Sequence, residues 1–218
     1  MRFLCLHGRG TNAEIFKSQT SCLREAISEG NEFVFINGRI QVDEIPGVSS
    51  VVKSRPSERL GFVPLPADAE TYQAFFLEIQ QLIRANGPFD GLFGFSEGAG
   101  VAVTLLVDDA RRQFANFKCA VLFCALDTVS PDDLNSSPSN LRLLDPETDR
   151  VLVTIPTAHI WSSRDKVANC ASQRIADLFE PTVREVVVHE LGHDIPGASC
   201  GEKVQDTVRA IERTIGRV

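Results

Sequence analysis

The sequence predicts an α/β fold, a mostly parallel, doubly wound sheet of about six strands with helices on both faces. Two observations carry this. Apolar runs of strand length alternate with amphipathic runs of helical length from end to end, the pattern of successive βα units. The 218 residues, 43% hydrophobic and 23% charged, also match one domain over 1–218 with a sizeable core, and no repeat or low-complexity tract interrupts them.

The elements follow in order. A first strand is read at 2–7, where Phe3-Leu4-Cys5-Leu6 is apolar throughout. A helix over 13–29 is opened by Asn12, whose side chain suits an N-cap, and closed by Gly30. A strand at 32–37 comes next, then a long connection, 38–67, broken by prolines and glycines. A helix over 68–86 ends at Gly87-Pro88, and the aromatic-rich strand 89–95 runs into a helix over 97–115. A strand at 118–125 leads to a second long connection, 126–156. The strand 157–162, helix 167–179, strand 183–189 and helix 200–216 complete the chain. Connections as long as 38–67 and 126–156 are uncommon in compact domains unless they are functional. In a parallel sheet they would hang over the carboxyl ends of the strands, so both are candidate lid or pocket loops.

Charge and cysteine usage narrow the partners. A net charge of -7 and a pI near 5.2 argue against nucleic acid or an anionic membrane surface, which attract basic proteins. No apolar run is long enough to span a bilayer, and the first apolar run is too short for a secretory signal. Of six cysteines, at 5, 22, 119, 124, 170 and 200, three lie inside strand-like runs, as small buried hydrophobes do. This predicts a reduced, cytoplasmic setting. No Cys-x-x-Cys or His-x-x-x-His spacing points to a metal, and no cofactor motif is present: the loop Gly8-Arg9-Gly10 lacks the remainder of G-x-G-x-x-G.

The chemistry is written at Gly94-Phe95-Ser96-Glu97-Gly98, a G-x-S-x-G between a strand and a helix. Such a turn holds the serine in a strained conformation with its hydroxyl exposed at the sheet rim. The serine then needs a base and an acid to orient the base, in the chain order Ser, acid, His. His193 follows the strand at 183–189, while His159 and His189 lie within or at the edge of strands and His7 precedes the serine. Asp165 follows the strand at 157–162 and is the favoured acid; Asp127, after the strand at 118–125, is the alternative. Asp194 is read as a turn residue. The candidate catalytic set is therefore Ser96, Asp165 and His193. Oxyanion donors would be the backbone amides of Glu97 and of Arg9, the latter in the glycine-containing loop after the first strand. The Glu97 side chain is read as a helix-start charge turned away from the oxyanion or meeting Arg9; facing the pocket instead, it would select against anionic acyl groups.

With these residues in view, the chain resembles the FSH serine-hydrolase family, largely fungal α/β-hydrolases that include thioesterase-like enzymes of polyketide pathways. Leu6-His7-Gly8-Arg9-Gly10-Thr11-Asn12 is similar to the family's opening block, residues 87 to 99 to its elbow block, and Gly192-His193-Asp194-Ile195-Pro196 to its histidine block. The resemblance implies a compact α/β-hydrolase in which Ser96, Asp165 and His193 cleave a carboxylic ester or acyl thioester through an acyl-enzyme. It also implies release of an acyl or polyketide chain from a carrier-protein thioester, with a polyketide synthase as a partner. A small-molecule carboxylesterase is the alternative, and a non-catalytic ligand-binding or partner protein on the same scaffold is the rival from another class. Two departures stand out: Glu97, where many relatives carry Gln, and Ser162-Ser163-Arg164 ahead of the acid, where many carry Gly.

Overall fold

A computed structural model describes residues 1–43, 59–135, 141–168, 170–197 and 201–218. Six strands form one parallel sheet: β1 (Arg2–Leu6), β2 (Glu32–Ile36), β5 (Gly91–Phe95), β6 (Cys119–Phe123), β7 (Thr157–Ser162) and β8 (Arg184–His189), in the spatial order β2-β1-β5-β6-β7-β8. Alternation within the strands sends successive side chains to opposite faces. Leu4, Leu6, Leu92, Ala120 and Leu122 enter one core, with the helices α3 (Ala69–Asn86) and α4 (Glu97–Arg112). Phe3, Cys5, Phe93, Phe95, Val121, Phe123 and Ile160 enter the other. That second face is covered by Phe16 of α1 (Ala13–Gln19), Leu23 of α2 (Ser21–Ala26) and Ala210 and Ile211 of α8 (Glu202–Ile215).

Three predicted helices are shorter than the sequence suggests. The 13–29 helix breaks at Thr20, whose hydroxyl bonds back to the Phe16 carbonyl at 2.8 Å and so bends the chain between α1 and α2. Residues 97–115 end their helix at Arg112, because Gln113 takes a left-handed backbone and Asp109 caps the amides of Ala115, Asn116 and Phe117. The 167–179 helix is regular only over α7 (Ala171–Ala176), since Asp165 already holds the Val167 and Ala168 amides in a turn. Residue 169 and the start of the predicted 200–216 helix, including Cys200, lie outside the described residues.

The long connections carry short elements of their own. In 38–67, β3 (Ile40–Gln41) and β4 (Leu60–Gly61) pair antiparallel, while 44–58 lie outside the described residues. In 126–156 lie α5 (Pro131–Asn135) and α6 (Pro146–Asp149), while 136–140 lie outside. Among the described residues, no helix is long and apolar enough to cross a membrane.

The strand order fixes where a site can form. From β1 the chain leaves through α1 and α2 towards β2; from its neighbour β5 it leaves through α4 towards β6, on the opposite face. Departure in opposite directions from adjacent strands opens a crevice at their carboxyl ends. The loop after Leu6 and the turn at Ser96 both lie there.

Candidate active site

The turn at Ser96 follows from its glycines. A side chain on Gly94 would meet the Ala99 backbone at 2.7 Å, and one on Gly98 would meet the carbonyl oxygen of Leu6 at 2.2 Å, so α4 can fold back over β1 and β5 only with both bare. Ser96 between them sits at φ 54, ψ -118, a conformation non-glycine residues rarely adopt. Its amide is held by the Phe123 carbonyl at 2.9 Å, and it stands at the amino terminus of α4.

The structure brings Ser96, His193 and Asp165 into one hydrogen-bonded chain across 97 and 28 positions of sequence. His193 Nδ1 lies 2.7 Å from Asp165 Oδ2, and His193 Nε2 lies 2.8 Å from Ser96 Oγ. Facing a carboxylate, Nδ1 carries the proton; Nε2 is then free to accept from the serine hydroxyl. Burial acts to raise the Asp165 pKa, but His193 and the Ala168 and Val167 amides outweigh it and hold the carboxyl below its ordinary value. Phe95 packs against the His193 ring, centroids 5.2 Å apart, and Gly192 makes the preceding turn at φ +79. Asp127 pairs with Arg174 at the surface instead. Asp194 occupies a turn, accepting from the Ile195 amide at 2.8 Å.

The other histidines are structural. His7, fully buried, accepts the Gly38 amide at Nε2 (2.9 Å) and donates from Nδ1 to the Gly8 carbonyl (2.8 Å); burial pushes its pKa down to about 4. His159 packs edge-on against Phe179 beside Thr157, and burial pushes it down to about 3. His189 accepts the Leu191 amide at Nδ1 and is likewise lowered by burial, to about 4.

The loop after β1 lies against the serine: a Cβ on Gly8 would stand 3.2 Å from that of Ser96. In this loop the Gly10 amide is already given to the Leu60 carbonyl at 2.8 Å, which leaves the neighbouring Arg9 amide as the candidate donor beside that of Glu97. The Glu97 side chain is engaged by the loop after β1 and by the segment after β4. Oε1 accepts from Arg9 Nη1 at 2.9 Å, and Oε2 accepts from the Phe62 amide at 3.0 Å. Arg9 also reaches the Val63 carbonyl at 2.6 Å. Burial pushes the Glu97 pKa up, opposed by the Phe62 and Val63 amides and by Arg9. Beyond this pair opens a cavity of about 340 Å³ between α4 and the two long connections, with Val63, Val101, Leu126, Val129 and Leu143 among its walls.

Two contributors escaped the sequence reading. Ser162, in the stretch where the chain departs from the resemblance, is buried, and its Oγ accepts both the Arg164 amide (3.1 Å) and the Gly192 amide (3.0 Å). It thus ties the loop of Asp165 to that of His193. The only earlier signal was a small hydroxyl at the end of a strand. Cys124, at φ 46, lies behind the acid; its ligand atom and those of Asp165 and His193 fall within 4.8 Å of one another, close enough for a cation. These donors are committed to other partners, however. Asp165 engages His193 and two amides, and burial pushes the Cys124 thiol well up, so it stays protonated.

Comparisons with known proteins bear on the chain as a whole. The model of a family described as serine hydrolase (FSH1) matches residues 1–203. The chain is 30% identical to Esterase FPY3 of Fusarium mangiferae, across 99% of this chain and 97% of that protein. It is also 30% identical to Hydrolase phiM of Talaromyces stipitatus, across 90% and 81%. Among solved structures, Zea mays acyl-protein thioesterase 2 superposes with a TM-score of 0.59 at 17% identity, over 99% of this chain and 94% of that one. The Bacillus cereus carboxylesterase does so at 0.52 and 17%, over 95% and 87%. At these identities the structures attest the α/β-hydrolase fold.

Proposed function

The chain belongs to the serine hydrolase (FSH1) family, and from that premise we propose that Ser96 attacks the carbonyl carbon of an ester or thioester, with His193 as base and Asp165 as its partner. The observation that carries this is the unbroken Asp165–His193–Ser96 hydrogen-bond chain at a strained strand-to-helix turn. As Ser96 Oγ bonds to the carbonyl carbon, its proton passes to Nε2, and Asp165 stabilises the imidazolium. Nε2 then gives the proton to the departing alcohol or thiol, leaving an acyl group on the serine oxygen. Water, deprotonated by His193, attacks that ester; the Ser96 Oγ–carbon bond breaks, Nε2 returns the proton to Oγ, and the acid is released. The developing oxyanion would be met by the amides of Arg9 and Glu97, worth several kcal/mol in such sites. Because the Glu97 carboxylate is paired with Arg9, it does not meet that oxyanion as an uncompensated charge.

The family makes the chain a serine hydrolase. Within that class we propose release of an acyl chain, including a polyketide chain, from a carrier-protein thioester, with Val63, Leu65, Leu126, Val129 and Leu143 of the two long connections around the acyl group. Support comes from the largely apolar cavity that opens at the Arg9–Glu97 pair and from the family resemblance. A fluorophosphonate tests the nucleophile: the intact mass should rise by one adduct in wild type and not in Ser96→Ala. Folded wild-type protein without an adduct would refute the mechanism. Paired thioesters and p-nitrophenyl esters of the same acyl group then test the leaving group, and a carboxylesterase would prefer the oxygen esters.

A further inference from the structure

We infer that the Arg9–Glu97 pair makes the cavity it lines, which begins at the residue following Ser96, a site for uncharged acyl chains, and that Glu97 excludes acyl groups bearing a second carboxylate. This rests on the reading of Ser96 as nucleophile. The cavity has largely apolar walls, and among the described residues its ionisable groups are Arg9, Glu97, Asp127 and Tyr72. None of them offers a carboxylate a positive charge that is not already paired. Arg9 spends its Nη1 on Glu97 Oε1 and on the Val63 carbonyl, and the two paired side chains are 16% and 11% exposed. Asp127 is a further negative charge, paired outwards with Arg174. Tyr72 is a neutral phenol, its pKa pushed up to about 12 by burial and by the neighbouring Glu97. A carboxylate entering here would lose its water without gaining an unpaired cation, whereas an alkyl or aryl chain loses nothing polar.

Glu97 is the element of this arrangement whose charge can be removed while one of its acceptor oxygens is kept. Gln in its place keeps an oxygen for the Phe62 amide, so the 60–63 segment stays attached to α4. The Arg9 charge is then no longer neutralised and faces the cavity. Specificity for a carboxylate should follow that exposed charge, because an opposite charge in a partly buried site both attracts and selects.

The test compares p-nitrophenyl butyrate with mono-p-nitrophenyl succinate, which differ at the far end of the acyl chain by a carboxylate. In wild type kcat/KM should strongly favour butyrate. In Glu97→Gln the succinate-to-butyrate ratio should rise about tenfold or more, the scale of one uncompensated charge in such a site. Combining Arg9→Met with Glu97→Gln should abolish that gain, since the cation is gone while the backbone amide remains. Leu143→Lys, on the half-exposed rim of the same cavity, supplies a cation without touching the pair and should raise the same ratio. An unchanged ratio in both Glu97→Gln and Leu143→Lys, or a gain that survives in the double variant, would overturn the inference. Wild-type protein that takes a fluorophosphonate adduct and hydrolyses butyrate while showing either result leaves the Ser96 mechanism standing. Absence of adduct and of turnover refutes both.

Discussion

Replacing Asp165 by Asn should lower kcat about 10⁴-fold while leaving the protein folded, and the structure says why an amide is so poor a substitute. Asp165 Oδ1 accepts from the amides of Val167 (2.8 Å) and Ala168 (2.9 Å), and Oδ2 faces His193 Nδ1 at 2.7 Å. In the Asp165→Asn variant the two backbone donors retain the carbonyl oxygen of the new side chain, because its NH₂ group cannot accept from them. The NH₂ therefore points at Nδ1, which must now accept. The imidazole is left in the tautomer with its proton on Nε2, 2.8 Å from Ser96 Oγ, and cannot take the serine proton. A loss of about 10⁴ corresponds to about 5 kcal/mol of transition-state stabilisation, the scale seen when the acid of a serine protease becomes an amide. Stopped-assay kcat on a p-nitrophenyl ester, with the rate of fluorophosphonate labelling, measures it, and a thermal melt checks the fold. Asp127→Asn is the control, since that residue meets Arg174 instead. A loss below about tenfold for Asp165→Asn, or a greater loss for Asp127→Asn, would refute the assignment of the acid.

Further outcomes follow from packing and protonation. Gly98→Ala puts a methyl group 2.2 Å from the Leu6 carbonyl oxygen, so α4 must move off β1; a melting temperature and kcat should both fall, by about 1–3 kcal/mol in stability for a forced shift of this kind. Gly100→Ala, whose added carbon would meet its nearest neighbour at 3.4 Å, should be neutral or stabilising by comparison, and equal losses in the two variants would contradict the packing argument. His159 is buried neutral with its pKa at about 3, against 6.5 for an ordinary histidine, so the unfolded chain takes up its proton first as pH falls. The stability it supports is present above about pH 6.5 and declines below it; from about pH 7 to 5 the loss is about 2 kcal/mol. In urea titrations, His159→Leu should lose that much less than wild type over the same interval, and identical slopes would show that His159 does not titrate this way.

How far the sequence could be read depended on the distance over which each feature is decided. The six strands were legible because strand-length apolar runs carry their own signal, although the helices broke where single side chains competed for the backbone, at Thr20, Asp109 and Asp165. Ser96 was legible because the glycines on either side form a local motif with a steric reason.

The charge beside it was legible only as a set of alternatives, of which the structure realises the meeting with Arg9. The partners of Glu97 lie 88 residues before it in Arg9 and 35 before it in Phe62, and no local pattern distinguishes a carboxylate tied back from one facing a substrate. Ser162 posed the same difficulty, since its second partner is Gly192, 30 residues on. The sequence by itself determined the α/β class, the elbow and a short list of histidines and acids, because periodicity and turn sterics act within a few residues. The tertiary structure alone decided which acid faces which imidazole nitrogen and where the Glu97 charge goes. Those are distances of 2.7 to 3.0 Å between remote parts of the chain, and only the strand order of the sheet brings them together.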